Sequence, residues 1–255
     1  FRILNDFSAA LCAPGQLHLV YQPRIDLASG RRVGAEALLR WTHPELGQVP
    51  PGEFIPLIEQ TALARPLTEW VVGSALAQLG AWRRSGLGLA VAVNASAANL
   101  VEQDFAERLL RAIDDAGVDA HGLELEFTES AIANDTRRAI EQLVELRRHG
   151  VAIAIDDFGT GYSNLSCVQQ LPVSILKIDR SFTGRLPHSA RDCTLVGAVV
   201  TMAHDLGYRV VAEGIETPEA LELLISLGCD EGQGYLFSPP VPAREVPAAP
   251  IRAAA

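Results

Sequence analysis

The sequence predicts an α/β protein, a TIM-like (β/α)8 barrel whose first strand runs antiparallel to the second. The chain has 255 residues, close to the ~250 that are typical of such a barrel. Short apolar runs alternate with longer amphipathic stretches, which is the pattern of repeated βα units. Only a short turn, Ala28 to Gly30, separates the first two runs, and this favours a hairpin. An open doubly wound sheet is the alternative, but its usual glycine-rich phosphate loop does not follow the first run.

The apolar runs predict eight strands and the amphipathic stretches predict helices between them. The strands are Leu17 to Ile25, Arg32 to Trp41, Leu89 to Asn94, Leu123 to Thr128, Val151 to Asp156, Ile175 to Ile178, Arg209 to Ala212 and a last one near Gly234 to Phe237. The helices are Leu67 to Arg84, Phe105 to Ala116, Arg137 to His149, Cys193 to Leu206 and Pro218 to Leu227. Four glycines stand where a helix should end in a left-handed cap, namely Gly117, Gly150, Gly207 and Gly228.

Composition limits the classes of partner. The net charge of −10, from 21 basic and 31 acidic residues, argues against a DNA-binding surface, which needs a basic face. No apolar segment reaches the ~18 residues of a membrane span and no signal peptide is visible, so we expect a cytoplasmic protein without membrane contact. The scattered cysteines predict reduced, mostly buried thiols rather than disulfides or a zinc site. They are Cys12, Cys167, Cys193 and Cys229.

No linker interrupts the chain, so the sequence predicts a single domain over residues 1–255, with residues 241–255 as a tail rich in proline and alanine. The chain begins at Phe1, which leaves open that this domain is excised from a longer, multidomain protein.

Two adjacent aspartates, Asp156 and Asp157, directly follow the apolar run Val151 to Ile155. That run is typical of a strand buried on both faces in a parallel sheet. Like charges at close range resist joint ionisation, so a positive partner must offset the pair. Gly159 and Gly161, just beyond, indicate a mobile or tightly turned loop.

Polar residues also mark the ends of the other strands, where apolar ones would pack better. From the second strand onwards the set is Glu36, Asn94, Glu126, Asp156 with Asp157, Lys177, Glu213 and Gln233. The carboxyl ends of barrel strands converge on one face, where barrel enzymes have their active sites. A single buried carboxylate is often structural, paired with an arginine or a helix end. A polar group on seven consecutive strands is much harder to explain in that way.

The charges of this set indicate metal chemistry. Five carboxylates and Lys177 leave four negative charges, which two divalent cations would neutralise. Carboxylate and amide oxygens suit Mg²⁺ or Mn²⁺, whereas zinc or iron would favour histidine or cysteine, and no histidine is expected at these strand ends. Paired ions ~3.5–4 Å apart activate a water and stabilise both oxygens of an in-line phosphoryl displacement. The residues therefore predict a two-metal phosphoester hydrolase.

A series of sequence blocks occurs in order along nearly the whole chain. The blocks are Tyr21-Gln22-Pro23, Glu36-Ala37-Leu38-Leu39-Arg40-Trp41, Phe54-Ile55-Pro56 with Glu59, Val93-Asn94 with Ser96, Glu126 to Ser130, Asp156 to Ser163, Lys177-Ile178-Asp179, Ala212 to Thr217 and Gln233 to Pro240. Together these blocks, rather than one short signature, resemble the EAL-domain phosphodiesterases, which hydrolyse the bacterial messenger cyclic di-GMP.

The resemblance implies roles for individual residues. It implies Glu36, Asn94, Glu126 and Asp156 as ligands of the first metal, with Asp156 bridging, and Asp157 and Glu213 as contributors to the second. It also implies Lys177 as the group that orients the attacking water. The implied substrate-binding residues are Gln22, Leu39, Arg40 and Gln233, and the implied loop-anchoring residues are Glu129 and Glu216. The implied product is linear pGpG, and the implied partners are a second copy of the chain and a fused sensory or diguanylate cyclase domain.

Several residues have a second interpretation that does not involve the site. Glu129 and Glu216 could instead be charges at helix amino termini. Trp41 and Phe237 are better explained as core or pocket wall than as base-stacking residues, and His43 as a loop residue than as an acid catalyst.

The activity implied by the resemblance has a rival hypothesis, a receptor that binds cyclic di-GMP without cleaving it. Ala95, Arg24 and Asn164 depart from the family pattern without removing a ligand, which favours an active enzyme, although Arg24 and Asn164 could alter substrate affinity or loop mobility. Asp157-Phe158-Gly159 also matches the kinase metal motif, but the sequence lacks the glycine-rich nucleotide loop and the catalytic loop of kinases.

Overall fold

The computed structural model describes residues 2–129, 137–159 and 171–248, and these residues form a closed barrel with helices outside it. Its strands, β1 to β9 in chain order, are Leu17–Asp26, Arg32–His43, Gly47–Val49, Ala90–Asn94, Leu123–Thr128, Ala152–Phe158, Ile175–Ile178, Arg209–Ala212 and Glu231–Gly232. The order around the barrel is β1-β9-β8-β7-β6-β5-β4-β2, and the pairing of β2 with β1 closes it. β1 is antiparallel to both neighbours, while the other barrel pairs are parallel. The predicted fold class is confirmed.

The helices of the described segments cover the outside of this barrel. They are Arg2–Ala10, Pro51–Glu59, Ala64–Arg84, Ala97–Leu100, Phe105–Asp115, Arg137–Arg148, Arg180–Thr183, Ala190–Asp205 and Pro218–Ser226. All five predicted helices are present with ends shifted by up to three residues. All four predicted capping glycines have positive φ, as left-handed helix caps require. None of the described helices has both the length and the apolar character needed to cross a bilayer.

The last predicted strand was misplaced. The strand that closes the barrel is Glu231–Gly232, whereas Gly234 to Phe237 forms a turn beyond it. At Gly234 an added Cβ would lie 2.2 Å from the backbone nitrogen of Ile215, so the two segments cross with no room for a side chain. The apolar character of Leu236 and Phe237 therefore reflects packing at the barrel mouth and not a strand.

Some features were not predicted or differ from the prediction. The helices Arg2–Ala10 and Pro51–Glu59 and the short strand β3 were not predicted. His43 is not a loop residue, because it ends β2 and is buried, with its Nε2 3.0 Å from Asp6 Oδ2. Of the described cysteines, all unpaired, Cys229 is buried, Cys193 is half-buried and Cys12 is exposed, so the expectation of buried thiols fails for Cys12.

Apolar side chains fill the layer between barrel and helices. Phe7, Trp41 and Phe54 are all fully buried, and the Phe7 ring centroid lies 5.3 Å from that of Trp41 and 5.5 Å from that of Phe54. This contact fixes the first helix to β2 and to the helix Pro51–Glu59. Part of the predicted tail also packs on the barrel, since Val241 pairs with Tyr21 across an antiparallel bridge and Val246 is fully buried.

The barrel interior is layered. At the amino-terminal end of the strands, buried Arg24 pairs with Glu124 and Glu231. A small apolar layer of Ala154, Ile175 and Val211 lies above it. The carboxyl ends of the strands carry the polar side chains that form the candidate site.

Candidate active site

Lys177 lies at the centre of a ring of carboxylates at the carboxyl ends of the strands. Its side chain, on β7, is fully buried. The Nζ atom lies 2.8 Å from Glu126 Oε2, 2.8 Å from Glu213 Oε1 and 3.0 Å from Asp156 Oδ1. Glu36 Oε2 lies farther away, at 3.7 Å. The structure thus brings together carboxylates from four different strands or the residues directly after them around one ammonium group.

Two side-chain amides complete this ring. Asn94 Nδ2 donates to Glu36 Oε1 at 2.8 Å, and Gln233 Nε2 donates to Glu36 Oε2 at 2.7 Å and to Glu213 Oε1 at 3.1 Å. The parallel register explains the convergence, because Asn94 pairs with Glu126 across β4 and β5. Each amide uses its nitrogen on the carboxylates, which leaves its oxygen for another partner.

Asp157 differs from the rest of the cluster in its backbone. Its φ of 54° is the one positive value of a non-glycine residue in the described segments, a conformation that aspartate adopts more readily than most residues. Oxygens of Asp156, Asp157 and Glu213 lie within 4.8 Å of one another. A hydrogen bond anchors the turn that follows: the backbone amide of Gly159 donates to Glu129 Oε2 at 3.1 Å. The backbone turn therefore directs neighbouring carboxylates to one place.

Burial and mutual repulsion perturb the protonation of the cluster. Burial raises the pKa of Glu213 to about 8, with Asp156 and Glu36 adding to the effect and Lys177 opposing it. Burial likewise raises the pKa of Glu126 well above its usual value. Burial alone would lower the pKa of Lys177, but the surrounding carboxylates hold it well above its usual value.

Glu36 departs from this behaviour. Its burial is outweighed by Lys177 and by the hydrogen bonds from Gln233 and Asn94, so its pKa is lowered. The cluster therefore contains more acid groups than one ammonium can hold ionised.

The donor set fits divalent cations. Glu126 Oε1, Asp156 Oδ1 and Gln233 Oε1 are buried without a hydrogen-bond partner. Asp156 Oδ1 lies at ion-pair distance from Lys177, but outside hydrogen-bond geometry. Buried oxygens that lack partners are uncommon and call for an explanation such as an ion. Carboxylate and amide oxygens are the ligands that hard divalent cations prefer.

Two cavities open on either side of Leu38 and Arg40, which line both. One, of about 280 Å³, contains Gln22, Arg40 and Gln233 together with the acids Glu36, Asp156 and Glu213. The other, of about 460 Å³, lies over β2, β4 and the helices after them. Predicted substrate-binding residues therefore line the space beside the acid cluster. Leu39 lines the larger cavity but is itself a buried core residue.

Sequence reasoning missed several residues at this mouth. Leu38 lies between the two cavities, and Arg180 and Tyr235 line the smaller one. Tyr235 is 67% exposed, and an exposed aromatic ring beside a cavity is a signal that the sequence alone does not give. Glu216, expected to anchor a loop, is exposed and lines the same cavity. Asn164, expected to affect loop mobility, lies outside the described residues.

Comparison with known proteins decides the family. A family model described as "EAL domain" matches residues 4–240. This chain belongs to the EAL-domain family. A protein of Pseudomonas aeruginosa named cyclic di-GMP phosphodiesterase PA2567 is 47% identical over 241 residues, which are 94% of this chain and 41% of that protein. The bifunctional diguanylate cyclase/cyclic di-GMP phosphodiesterase MucR of the same organism is 39% identical over 96% of this chain and 36% of its own length.

Solved structures of EAL domains share the architecture. The PaMucR phosphodiesterase in complex with c-di-GMP superposes with a TM-score of 0.90 at 39% identity and covers 96% of this chain and 100% of that chain. The EAL domain of Mycobacterium smegmatis DcpA gives a TM-score of 0.79 at 36% identity, over 91% of this chain and 96% of that one. The chain spans about two fifths of the length of the relatives PA2567 and MucR.

Proposed function

We propose that this chain is a metal-dependent phosphodiesterase that hydrolyses cyclic di-GMP to linear pGpG. The observation that carries the proposal is the buried ring of carboxylates around Lys177, in which Glu126 Oε1 and Asp156 Oδ1 lack hydrogen-bond partners. Relatives at 47% and 39% identity are named for this activity, which supports the same substrate class here.

The ligand assignment is the one that the family resemblance implies, and the unpartnered oxygens of Glu126 and Asp156 support it. Glu36, Asn94, Glu126 and Asp156 would hold one cation, and Asp157 and Glu213 a second, with Asp156 shared between the two. Bound divalent cations lower the pKa of water and stabilise negative charge on phosphoryl oxygens. Mg²⁺ and Mn²⁺ both accept such an oxygen set, and the proposal covers either ion.

The chain's own residues orient the reactants. We infer that Lys177 donates a hydrogen bond to the attacking water, because its ammonium has three donors. Glu126 and Glu213 accept from it, whereas Asp156 Oδ1 lies at ion-pair distance outside hydrogen-bond geometry, so one donor remains. Water attacks one phosphorus, the bond from that phosphorus to the ribose 3′ oxygen breaks, and the leaving oxygen takes up a proton. The ring opens to a linear dinucleotide with a 5′ phosphate, which is pGpG.

Arg40 supplies positive charge beside the acid cluster for an anionic substrate, despite the net negative charge of the chain. Arg40 is half-buried at the border of both cavities. A guanidinium has a planar fork of donors that suits a phosphate, while Gln22 and Gln233 supply neutral amides beside it. These side chains can hold the dinucleotide without adding negative charge.

One assay tests the proposal. Purified protein is incubated with cyclic di-GMP and Mg²⁺ or Mn²⁺, and the products are separated by chromatography. We expect pGpG to accumulate, and EDTA to abolish its formation. Tight binding without turnover under these conditions would contradict the enzyme and favour the receptor hypothesis.

The remaining partners stay predictions. A homodimer is expected from the family resemblance and is tested by sedimentation of the purified chain. A fused sensory or diguanylate cyclase domain is in keeping with the name of the bifunctional relative MucR. A cytoplasmic location and the extent of a single phosphodiesterase domain over residues 1–255 are likewise inferred.

A further inference from the structure

The short helix Arg180–Thr183, directly after β7, packs against the turn after β6 and the turn after β8. A Cβ added to Gly159, in the first of these turns, would lie 2.8 Å from Cε2 of Phe182. A Cβ added to Gly214, in the second turn, would lie 2.3 Å from the Cβ of Arg180. Gly214 also has a φ of 62°, which favours glycine. One short helix is therefore in direct contact with both turns.

Thr183 makes a polar contact between this helix and the turn after β8. The side chain is fully buried, and its hydroxyl donates to the backbone carbonyl of Glu213. The carbonyl of Arg180 is farther from that hydroxyl, at 3.3 Å, and already accepts from the amide of Gly184. Within the described segments no backbone amide donates to the Glu213 carbonyl, while the Glu213 amide donates to Ile178 O at 3.0 Å. Thr183 therefore completes the fixing of the Glu213 backbone.

The two turns on this helix carry carboxylates that belong together. Asp157 and Glu213 have oxygens within 4.8 Å of each other and of Asp156. In contrast, Glu36 and Glu126 lie inside β2 and β5, where the register of the sheet sets their positions. Support from the helix therefore acts on the acids that follow the strands and not on those within them.

We propose that Thr183 is a positioning residue for the second cation, because its hydroxyl holds the backbone of Glu213 and so aims that carboxylate at the oxygens of Asp157. The inference rests on the proposed function, in which Asp157 and Glu213 contribute to the second of two cations. A ligand whose backbone is already fixed loses less conformational freedom when it binds. Removing a partner that orients a metal ligand typically lowers metal affinity by roughly 10- to 100-fold.

The test uses two replacements of Thr183 and a matched control. T183V keeps the branched shape but cannot donate to the carbonyl, whereas T183S keeps the hydroxyl. T201V makes the same chemical change at an exposed threonine whose hydroxyl donates to Gly197 O at 2.9 Å inside the helix Ala190–Asp205. Metal-free protein is titrated with Mn²⁺, and free Mn²⁺ is measured by electron paramagnetic resonance. D157N, which lacks a carboxylate of the second site, identifies which binding step belongs to that site.

We expect T183V to raise the Kd of the step that D157N weakens by roughly 10-fold, and to leave the other step within about twofold of wild type. T183S should stay within about threefold of wild type at both steps, and T201V should match wild type. In the hydrolysis of cyclic di-GMP, T183V should need more Mn²⁺ for half-maximal rate. At saturating Mn²⁺ its kcat and KM should return to within about threefold of wild type, which a general loss of structure would not allow.

Three results would overturn the assignment of Thr183. An unchanged Kd in T183V would mean that the hydroxyl does not support Glu213. Equal weakening in T183S and T183V would assign the effect to packing of the methyl group. Equal weakening of both binding steps would indicate a general disturbance of the barrel.

The wild-type protein separates this inference from the proposed function. If it binds two Mn²⁺ ions but forms no pGpG, the phosphodiesterase proposal fails, and the Mn²⁺ titrations still decide the role of Thr183. If it binds fewer than two Mn²⁺ ions, there is no second site for Thr183 to support, and the inference is overturned whatever the turnover.

Discussion

Replacing Arg24 by methionine should destabilise the barrel without changing substrate affinity. Arg24 is 3% exposed inside the amino-terminal end of the barrel, where its two terminal nitrogens lie 2.7 Å from the two carboxylate oxygens of Glu124. Its Nε is 2.6 Å from Glu231 Oε2, an ion pair whose N–H does not point at the oxygen. Gly34, opposite Arg24 in the register, leaves room for the guanidinium. The side chain thus closes the barrel floor and does not face the mouth.

The expected loss of stability depends on which of the two carboxylates is left without a cation. Glu231 keeps Arg209 as an ion-pair partner, whereas Glu124 loses its bidentate pair. Breaking one buried pair costs about 3–5 kcal/mol. At roughly 2–4 °C per kcal/mol for a domain of this size, R24M should melt roughly 6–20 °C below wild type. The double variant R24M/E124M, in which both partners are apolar, should be more stable than R24M.

The loss of stability in R24M should also depend on pH. Burial would raise the pKa of Glu124, but Arg24 outweighs it and holds the pKa below its usual value. In wild type Glu124 therefore contributes stability at pH values above its unfolded pKa, and this is lost as pH falls. In R24M burial, the largest influence, is opposed only by Lys177 and Arg209, which act more weakly than Arg24. We therefore expect the pKa of Glu124 to lie above the unfolded value and stability to be lost as pH rises. The stability gap between the two proteins should be wider at pH 8 than at pH 5.

Urea unfolding followed by circular dichroism at both pH values measures these differences. The KM for cyclic di-GMP, measured at 20 °C where both proteins are fully folded, reports on substrate affinity. Equal stability of R24M and wild type, or a double variant less stable than R24M, would refute the reasoning. A changed KM with unchanged stability would show instead that Arg24 acts at the mouth.

Three further predictions concern the site, the core and the thiols. D156N and K177A should each lower kcat by at least roughly 100-fold, as loss of a transition-state contact does, and near-normal turnover in either would contradict the assigned roles. F7A should lower the free energy of unfolding by about 3–5 kcal/mol, because Phe7 is fully buried against Trp41 and Phe54, and urea denaturation measures it. In native protein at pH 8, N-ethylmaleimide should label Cys12 well before Cys229, whose pKa burial raises to about 12; peptide mass spectrometry reads each site, and equal labelling rates would contradict the burial argument.

Local patterns predicted most of the fold because the barrel repeats one unit. The strands Leu123–Thr128, Ile175–Ile178 and Arg209–Ala212 match the prediction residue for residue. The first alternates apolar and polar residues and the other two are short and mainly apolar, patterns that both predict strands. The last strand failed because Glu231–Gly232 is held by its neighbours on both sides and has no apolar run. These two residues form a strand only because the neighbouring strands pair with them, and no local sequence pattern predicts such pairing.

The sequence predicted which residues form the site, but not how they contact one another. The residue types at strand ends predicted that these polar side chains converge on one face, because parallel strands end on one face, but not that the carboxylates surround Lys177. The sequence does not reveal that Gln233 bridges Glu36 and Glu213 or that Asp157 has positive φ. Both depend on the backbone geometry around the strand ends, which the residue types do not specify.

The barrel interior contains two charged layers, and their charge balance separates structure from function. At the floor, buried Arg24 pairs with Glu124 and Glu231, and the exposed Arg209 pairs with Glu231 from outside, so positive and negative groups match and no ligand is needed. At the mouth, Lys177 faces the carboxylates of Glu36, Glu126, Asp156 and Glu213. Burying unmatched charge is costly, so a protein keeps such an excess only where something positive completes it. We infer that the imbalance at the mouth, and not the mere presence of buried charge, identifies the place where cations and substrate bind.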